Sequence, residues 1–266
     1  MHETDKGQID QAAAEVYDES FVPALFQEWA ASLADAAMIR SGQRVIDVAC
    51  GTGVLARELL ERVGVKGTVV GLDPNPGMLA VARRKAPTIE WREAPAESIP
   101  LGDGLFHAAL SQFGLMFFDD RVKAIREMAR VTKRRGHVVV AVWDSIENSP
   151  GYAKLALLLE RLFGAEAAAA LRAPYCLGNP SAVGALFEKG GVTNAKIATR
   201  EGTARFNSIR WWMKTDVRGW TLSDMIDDAQ FERLVFEAES ELKEFTTPHG
   251  NVSFPTSVHI VSAVKG

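Results

Sequence analysis

The residues best suited to chemistry lie in two short segments that combine small residues with an acid. The segment from Arg44 to Gly53 reads Arg-Val-Ile-Asp-Val-Ala-Cys-Gly-Thr-Gly, and the segment from Val69 to Asp73 ends in a second acid. An acid about 20 residues beyond a glycine loop can accept hydrogen bonds from the two hydroxyls of a ribose, while the loop lets a ligand lie against bare backbone. The two segments therefore predict a nucleoside-binding site.

The spacing of the small residues separates two classes of nucleoside cofactor. A dinucleotide loop reads G-x-G-x-x-G and directs backbone amides at a pyrophosphate. Here Asp47, Ala49, Gly51 and Gly53 alternate with other residues, and the third glycine is missing. An acid beside the loop suits a cationic amino-acid group better than a diphosphate. The stretch resembles motif I of the class I S-adenosylmethionine-dependent methyltransferases, in the small-molecule group that includes enzymes of ubiquinone and menaquinone biosynthesis.

This resemblance implies a set of cofactor contacts. Gly51 and Gly53 would let the methionine part of S-adenosylmethionine approach the backbone, Asp47 would lie near its ammonium group, and Asp73 would accept hydrogen bonds from the ribose. Ala49 stands where the family more often has glycine. The cofactor-binding residues expected in this way are Asp47, Ala49, Gly51, Thr52, Gly53, Asp73, Pro74, Met78, Ala96, Glu97, Gln112 and Phe113.

The contacts to adenine depart from the family pattern. Pro95 occupies the position of the usual aspartate and has neither a side-chain acceptor nor an amide hydrogen. The amide of Ala96 and the carboxylate of Glu97 are the remaining candidates, although a solvated charge is an equally good interpretation of Glu97. Met78 can pack on the adenine, in the hydrophobic core, or in both places.

The elements that must position these residues alternate between strand and helix, which indicates parallel crossover units and a doubly wound sheet. The predicted strands are 44–49, 67–73, 89–93, 108–112, 136–143, 196–200 and 257–264, and the predicted core helices are 54–63, 77–85 and 121–131. The fold class is therefore α/β, with a Rossmann-like seven-stranded sheet whose last strand is antiparallel.

We expect one domain over residues 1–266, made of a helical cap (1–42), a cofactor-binding core (43–144) and a C-terminal part (145–266). Within the C-terminal part, two helical insertions are predicted to form a lid over the site: 145–179 and 206–250.

Helical spacing in the cap predicts one shared face for Ile9, Ala12, Ala13 and Val16, and Pro23 is placed to begin a second helix.

The acceptor pocket is expected to be aromatic. Methyl transfer from a sulfonium is a direct displacement, so alignment and desolvation supply much of the catalysis and no triad is needed. No catalytic residue is assigned, and the two candidates are Tyr17, whose segment resembles the family's N-terminal gate, and the loop residue His249 as a base. Trp211 and Trp212 can equally close the core between lid and sheet. The predicted acceptor-binding residues are Tyr17, Phe21, Trp143, Tyr175, Trp211 and His249.

The composition of the chain limits the kinds of molecule that it is expected to bind. The net charge of -4 gives no electrostatic footprint for nucleic acid. The two cysteines, Cys50 and Cys176, form neither a disulfide framework nor a metal-ligand spacing, so no metal is expected. The first residues lack a basic region followed by an apolar run. We expect a cytoplasmic protein without membrane insertion, acting on a small molecule; a homodimer remains open.

The predicted function is therefore transfer of a methyl group from S-adenosylmethionine to an O, N or C atom of a small organic acceptor by in-line displacement. One alternative is a protein that binds the cofactor without turnover, which the loss of an acid at Pro95 favours slightly. The other is a nicotinamide-dependent oxidoreductase, which should show G-x-G-x-x-G and a group that positions a hydride.

Overall fold

The computed structural model describes residues 11–218, 222 and 225–266. The predicted helical residue Ile9 and residues 219–221 and 223–224 of the second insertion lie outside the described residues.

Within the described part of the chain, seven strands form one sheet in the order β3-β2-β1-β4-β5-β7-β6. The pairs among β1 to β5 are parallel, while β7 runs antiparallel to both of its neighbours. The strand order reverses at β1 and β4, where an open α/β sheet forms a ligand crevice outside its carboxyl ends. The predicted Rossmann-like sheet with an antiparallel last strand is confirmed. The strands are β1 (Arg44–Val48), β2 (Thr68–Asp73), β3 (Glu90–Glu93), β4 (Phe106–Gln112), β5 (Thr132–Trp143), β6 (Lys196–Phe206) and β7 (Val252–Val264).

Helices pack against this sheet and account for the apolar spacing of the sequence. Helix α5, for example, buries Ala124, Ile125, Met128 and Val131 on a single stripe. The helices are α1 (Gln11–Phe21), α2 (Gln27–Ala36), α3 (Val54–Val63), α4 (Pro76–Lys85), α5 (Arg121–Val131), α6 (Pro150–Phe163), α7 (Ala165–Arg172), α8 (Pro180–Lys189), α9 (Ile209–Arg218) and α10 (Asp228–Glu241).

The first two helices are joined by a π-helical turn, Val22–Phe26, rather than by a break at Pro23. The predicted face of α1 was wrong, because Val16 is exposed whereas Ala14, Asp18 and Phe21 are buried. Burying the aromatic ring of Phe21 removes more apolar area from water than burying alanines, so the helix turns that side toward the sheet.

The two C-terminal strands are longer than predicted. β6 and β7 pair continuously from Lys196 with Ser262 to Phe206 with Val252, so polar residues are held in strand by cross-strand hydrogen bonds. β5 also begins earlier than predicted and includes the basic residues Lys133, Arg134 and Arg135 before Gly136. Helices α6, α7, α9 and α10 occupy the two predicted insertions, and their action as a lid remains a prediction.

No helix in the described ranges is long and apolar enough to cross a membrane.

Candidate active site

A first cavity, of about 340 Å³, lies at the carboxyl ends of β1 and β4. Its lining combines the predicted glycine-rich loop with the N-terminal helices. The lining residues are Tyr17, Phe26, Asp47, Ala49, Cys50, Gly51, Thr52, Val54, Leu55 and Gln112.

Asp47 is the main charged group of this cavity. It is 1% exposed, and neither of its carboxylate oxygens has a hydrogen-bond partner among the described residues. Burial, followed by the charge of Asp73, raises the pKa of Asp47 well above its ordinary range. The backbone amide of Ala56 and the charge of Arg57 act in the opposite direction. A buried acceptor without a donor is costly, and N–H groups or positive charge from a ligand would offset that cost.

The loop after β1 has an unusual backbone. Gly51 adopts φ +53 and an added Cβ there meets no atom within 4 Å, so the backbone faces open space. Ala49 adopts φ +58, a left-handed conformation that alanine rarely takes. Gly53, at φ +85, leaves room for Trp91, whose ring lies 2.5 Å from the position of a Cβ. The loop therefore leaves open space beside Gly51 and packs against Trp91 at Gly53.

Asp73 connects the end of β2 to this loop. Its Oδ2 accepts a hydrogen bond from the amide of Gly51 at 2.8 Å, and its Oδ1 accepts one from the amide of Asn75 at 2.9 Å. Burial raises the pKa of Asp73, and these two hydrogen bonds oppose the shift. Each carboxylate oxygen keeps further acceptor capacity for a ligand.

Other predicted cofactor residues lie outside the lining of the first cavity. Met78 packs with Ala14 and Val81 in a small hydrophobic cluster, and Ala96 is buried in the core. Glu97 accepts hydrogen bonds from the amides of Asp119 and Asp120, so its carboxylate supports the loop before α5. The exposed Pro74 lies in the turn after β2.

Gln112 is the last residue of β4 and lines the first cavity, whereas the next residue, Phe113, lies among aromatic rings. The side-chain amide of Gln112 donates to the carbonyl of Phe26 at 2.9 Å, which ties the π-helical turn to the first cavity. Phe113 adopts φ +56 and stacks on Trp143 with ring centroids 4.2 Å apart. A non-glycine residue in this conformation is strained, and such strain is common at functional sites.

A second cavity, of about 630 Å³, adjoins the first and is mostly aromatic. Its rings form a chain of contacts in which Phe26 lies 5.5 Å from Phe113 and Trp143 lies 6.0 Å from Tyr175, measured between centroids. The lining residues are Tyr17, Phe21, Leu25, Phe26, Phe113, Phe117, Trp143, Tyr152, Ala170, Leu171, Pro174, Tyr175, Asp216 and Leu222.

Tyr17 and Phe26 line both cavities, with ring centroids 5.5 Å apart. Helix α1 is held over the site by the buried carboxylate of Asp18, which pairs with Lys85 and lies 3.9 Å from Arg57. Burial raises the pKa of Tyr17, and the nearby acids Asp73 and Asp18 add to that shift. Tyr17 is therefore a neutral phenol between the two cavities.

Two polar residues of the second cavity were not expected from the sequence. Asp216 is 6% exposed. The hydroxyl of Tyr152 lies 3.3 Å from each of its carboxylate oxygens and donates a hydrogen bond to the carboxylate. The signal was present, because Ile209, Trp212, Met213 and Asp216 fall on one stripe of α9. An acid on the apolar stripe of an amphipathic helix points to a buried carboxyl.

Two predicted acceptor residues lie outside both cavities. Trp211 is partly exposed on α9, and the ammonium of Lys214 lies 5.3 Å from its ring centroid. Its neighbour Trp212 turns inward instead and is fully buried. His249 is exposed in the turn before β7. Among the predicted acceptor residues, those that line the second cavity are Tyr17, Phe21, Trp143 and Tyr175.

Two further residues lie near the ends of β4. His107 is half-buried, and its Nδ1 accepts a hydrogen bond from the amide of Arg44 at 2.9 Å. Phe117 is 49% exposed and lines the second cavity.

Comparison with known proteins bears on what this pair of cavities does. Residues 46–140 match a family model described as a methyltransferase domain. This segment of the chain is therefore similar to a methyltransferase domain. The match begins in β1 and ends in β5, so the matched segment includes the loop from Asp47 to Gly53 and the end of β4.

The curated relatives of the chain match only part of it. The demethylmenaquinone methyltransferase of Chlorobaculum parvum is 38% identical over 115 residues, which is 43% of this chain and 46% of that protein. The chain spans about half the length of the curated relatives it matches. These matches give no support to an oxidoreductase.

Solved structures similar to the chain show its fold. A SAM-dependent methyltransferase from Aquifex aeolicus has a TM-score of 0.53 and 16% identity, over 95% of this chain and 98% of that one. A phosphoethanolamine N-methyltransferase 2 of Haemonchus contortus, in complex with S-adenosylhomocysteine, has a TM-score of 0.61 and 16% identity, over 98% of this chain and 58% of that one.

Proposed function

We propose that this protein transfers a methyl group from S-adenosylmethionine to a small organic acceptor, with the cofactor in the first cavity and the acceptor in the second. The observation that carries the proposal is the buried carboxylate of Asp47, which lacks a partner among the described residues and faces the loop within the segment that matches a methyltransferase domain. When bound, the cofactor supplies an electrophilic methyl group on a sulfonium.

The residues of the first cavity fit this cofactor. The oxygens of Asp47 match the ammonium of its methionine part, and a positive charge there would restore the ionised form that burial disfavours by raising the pKa. The open backbone at Gly51 admits a ligand where a side chain would fill the space. Asp73 lies at the end of β2, where it can accept hydrogen bonds from ribose hydroxyls.

The residues between the cavities would align the reaction and exclude water. Tyr17 and Phe26 contact both spaces, and the stacked rings of Phe113 and Trp143 form a rigid wall on the acceptor side. Holding an acceptor in one orientation replaces an unfavourable encounter by a reaction within one complex. An aromatic enclosure also removes water that would compete for the electrophile.

Calorimetric titration tests the first half of this proposal. We expect the protein to bind S-adenosylmethionine and S-adenosylhomocysteine but not NAD. Asp47→Asn should weaken S-adenosylmethionine at least about 10-fold, since a hydrogen bond to a charged group contributes about 1.5 to 3 kcal/mol. Asp35→Asn is the matched control, because Asp35 is exposed on α2 away from both cavities.

The second half is tested by turnover. Formation of S-adenosylhomocysteine should require an added acceptor from a library of small hydroxyl, amine and carbon nucleophiles. Binding of NAD without binding of S-adenosylmethionine would refute the assignment of the first cavity. Cofactor binding with no product from any acceptor would instead support the binder without turnover.

A further inference from the structure

The second cavity holds one acid and, among its described lining residues, no basic side chain. Asp216 faces the cavity from α9. The other lining side chains that can ionise are tyrosines: Tyr17 from α1, Tyr152 from α6 and Tyr175 from the turn Ala173–Tyr175. An anionic ligand would therefore meet a carboxyl and aromatic faces, whose negative quadrupole also disfavours it.

Asp216 is positioned rather than merely buried. The hydroxyl of Tyr152 lies 3.3 Å from each carboxylate oxygen, and Tyr152 in turn contacts Tyr175, with ring centroids 6.0 Å apart. Burial raises the pKa of Asp216 to about 8, while Tyr152 and Trp212 act in the opposite direction. A carboxyl with this pKa exchanges its proton close to neutral pH, which is what efficient acid–base catalysis requires.

We propose that Asp216 accepts the proton that the acceptor loses on methylation, and that the second cavity therefore selects acceptors with a neutral O–H or N–H group on an apolar ring and excludes anions. This inference rests on the proposed function, because it assumes that the second cavity holds the acceptor.

The step balances within the complex. The acceptor atom forms a bond to the methyl carbon, and the bond from that carbon to sulfur breaks with its electron pair remaining on sulfur. The hydrogen of the acceptor's O–H or N–H passes to an oxygen of ionised Asp216, which becomes a neutral carboxylic acid. Tyr152 keeps the carboxyl oriented through its O–H donor and does not itself exchange a proton, because burial and then the charge of Asp216 raise its pKa well above the ordinary value.

Ligand binding tests the selectivity without requiring turnover. The probes are 2-naphthol, 2-naphthylamine and 2-naphthoate, which share one ring system and differ in the polar group. Each is titrated into protein saturated with S-adenosylhomocysteine at about pH 6 and about pH 9, on either side of the pKa of Asp216. The variants are Asp216→Asn and the exposed control Asp35→Asn.

We expect the wild type and Asp35→Asn to prefer 2-naphthol or 2-naphthylamine over 2-naphthoate, and this preference should grow about 10-fold or more from the lower to the higher pH as Asp216 ionises. In Asp216→Asn, the ratio of the affinities for 2-naphthylamine and 2-naphthoate should be the same at both pH values. Failure of both neutral probes to bind, or the same pH dependence in Asp216→Asn, overturns the proposal. If the wild type fails to bind S-adenosylhomocysteine, the proposed function is overturned instead.

Kinetics with any acceptor found by turnover give a second readout. In the wild type, kcat/KM should rise with pH to a plateau, with a midpoint near the pKa of about 8. Tyr152→Phe removes a hydrogen bond that favours the ionised form and should move the midpoint to higher pH. Asp216→Asn should lower kcat by about 100-fold or more and abolish that midpoint. A wild-type midpoint that survives in Asp216→Asn would refute the role as proton acceptor.

Discussion

Replacing Asp216 with asparagine should make the stability of the protein less sensitive to pH. The pKa of this carboxyl is raised from 3.8 to about 8 by burial. Between these values the folded protein holds a proton that the unfolded chain has released, so the free energy of unfolding falls as pH rises and levels off above about 8. At about 1.36 kcal/mol per pH unit, the loss between about pH 5 and about pH 8 amounts to about 3 to 4 kcal/mol. The asparagine side chain of the variant would stay neutral throughout.

Urea unfolding measured at several pH values checks this magnitude. Between about pH 5 and about pH 8, the free energy of unfolding of the wild type should fall by about 3 to 4 kcal/mol relative to that of Asp216→Asn. Asparagine keeps an acceptor for the hydroxyl of Tyr152, so the comparison isolates the charge. The exposed control Asp35→Asn should run parallel to the wild type. Parallel curves for Asp216→Asn as well would show that the carboxyl is ionised in the folded protein and would refute the raised pKa.

Three further substitutions test how the site is held together. Gly53→Ala should destabilise the protein by about 2 kcal/mol more than Gly104→Ala in urea unfolding, because both glycines have positive φ but only Gly53 faces Trp91; equal losses would contradict the packing. Lys85→Ala should cost about 1 to 3 kcal/mol and speed amide exchange in α1, and adding Asp18→Asn should recover part of the loss, whereas additive losses would argue against the pair. Ala49→Gly should raise the free energy of unfolding by up to about 1 kcal/mol by relieving left-handed strain, and a clear loss would show that the Ala49 methyl group contributes packing that outweighs the strain.

The sequence was sufficient for the sheet core because its signals there are local. Helices α3 and α5 began and ended at the predicted residues, since apolar spacing and flanking residues act within a few turns. The position of the loop from Asp47 to Gly53 was predicted for the same reason, whereas the left-handed conformation of Ala49 was not, because alanine rarely adopts it. The lengths of β6 and β7 were not predictable in this way, because the pairing of Lys196 with Ser262 joins distant parts of the chain.

The second cavity was predicted only in part, because Tyr17, Phe21, Trp143 and Tyr175 line it whereas Trp211 and His249 do not. Its residues come mainly from α1, the π-helical turn Val22–Phe26, the segment after β4, β5, α6, α7, the turn Ala173–Tyr175 and α9, and only tertiary packing decides which of their faces meet. Trp211 and Trp212 show the difficulty, since adjacent positions on a helix point about 100° apart and the inward one cannot be chosen from residue type. Asp216 was overlooked because an acid is usually assigned to a solvated face, although its position on the apolar stripe of α9 indicated otherwise.

The shared walls of the two cavities have a thermodynamic consequence. Because the rings of Tyr17 and Phe26 belong to both, a ligand that orders them in one cavity changes the wall that the other ligand meets. Linkage then requires reciprocity: the factor by which one ligand alters the affinity of the other is the same in both directions. If both ligands bind as proposed, a substitution at Phe26 should change this mutual factor as well as the affinity of each ligand alone, and the two cavities would behave as one coupled binding system.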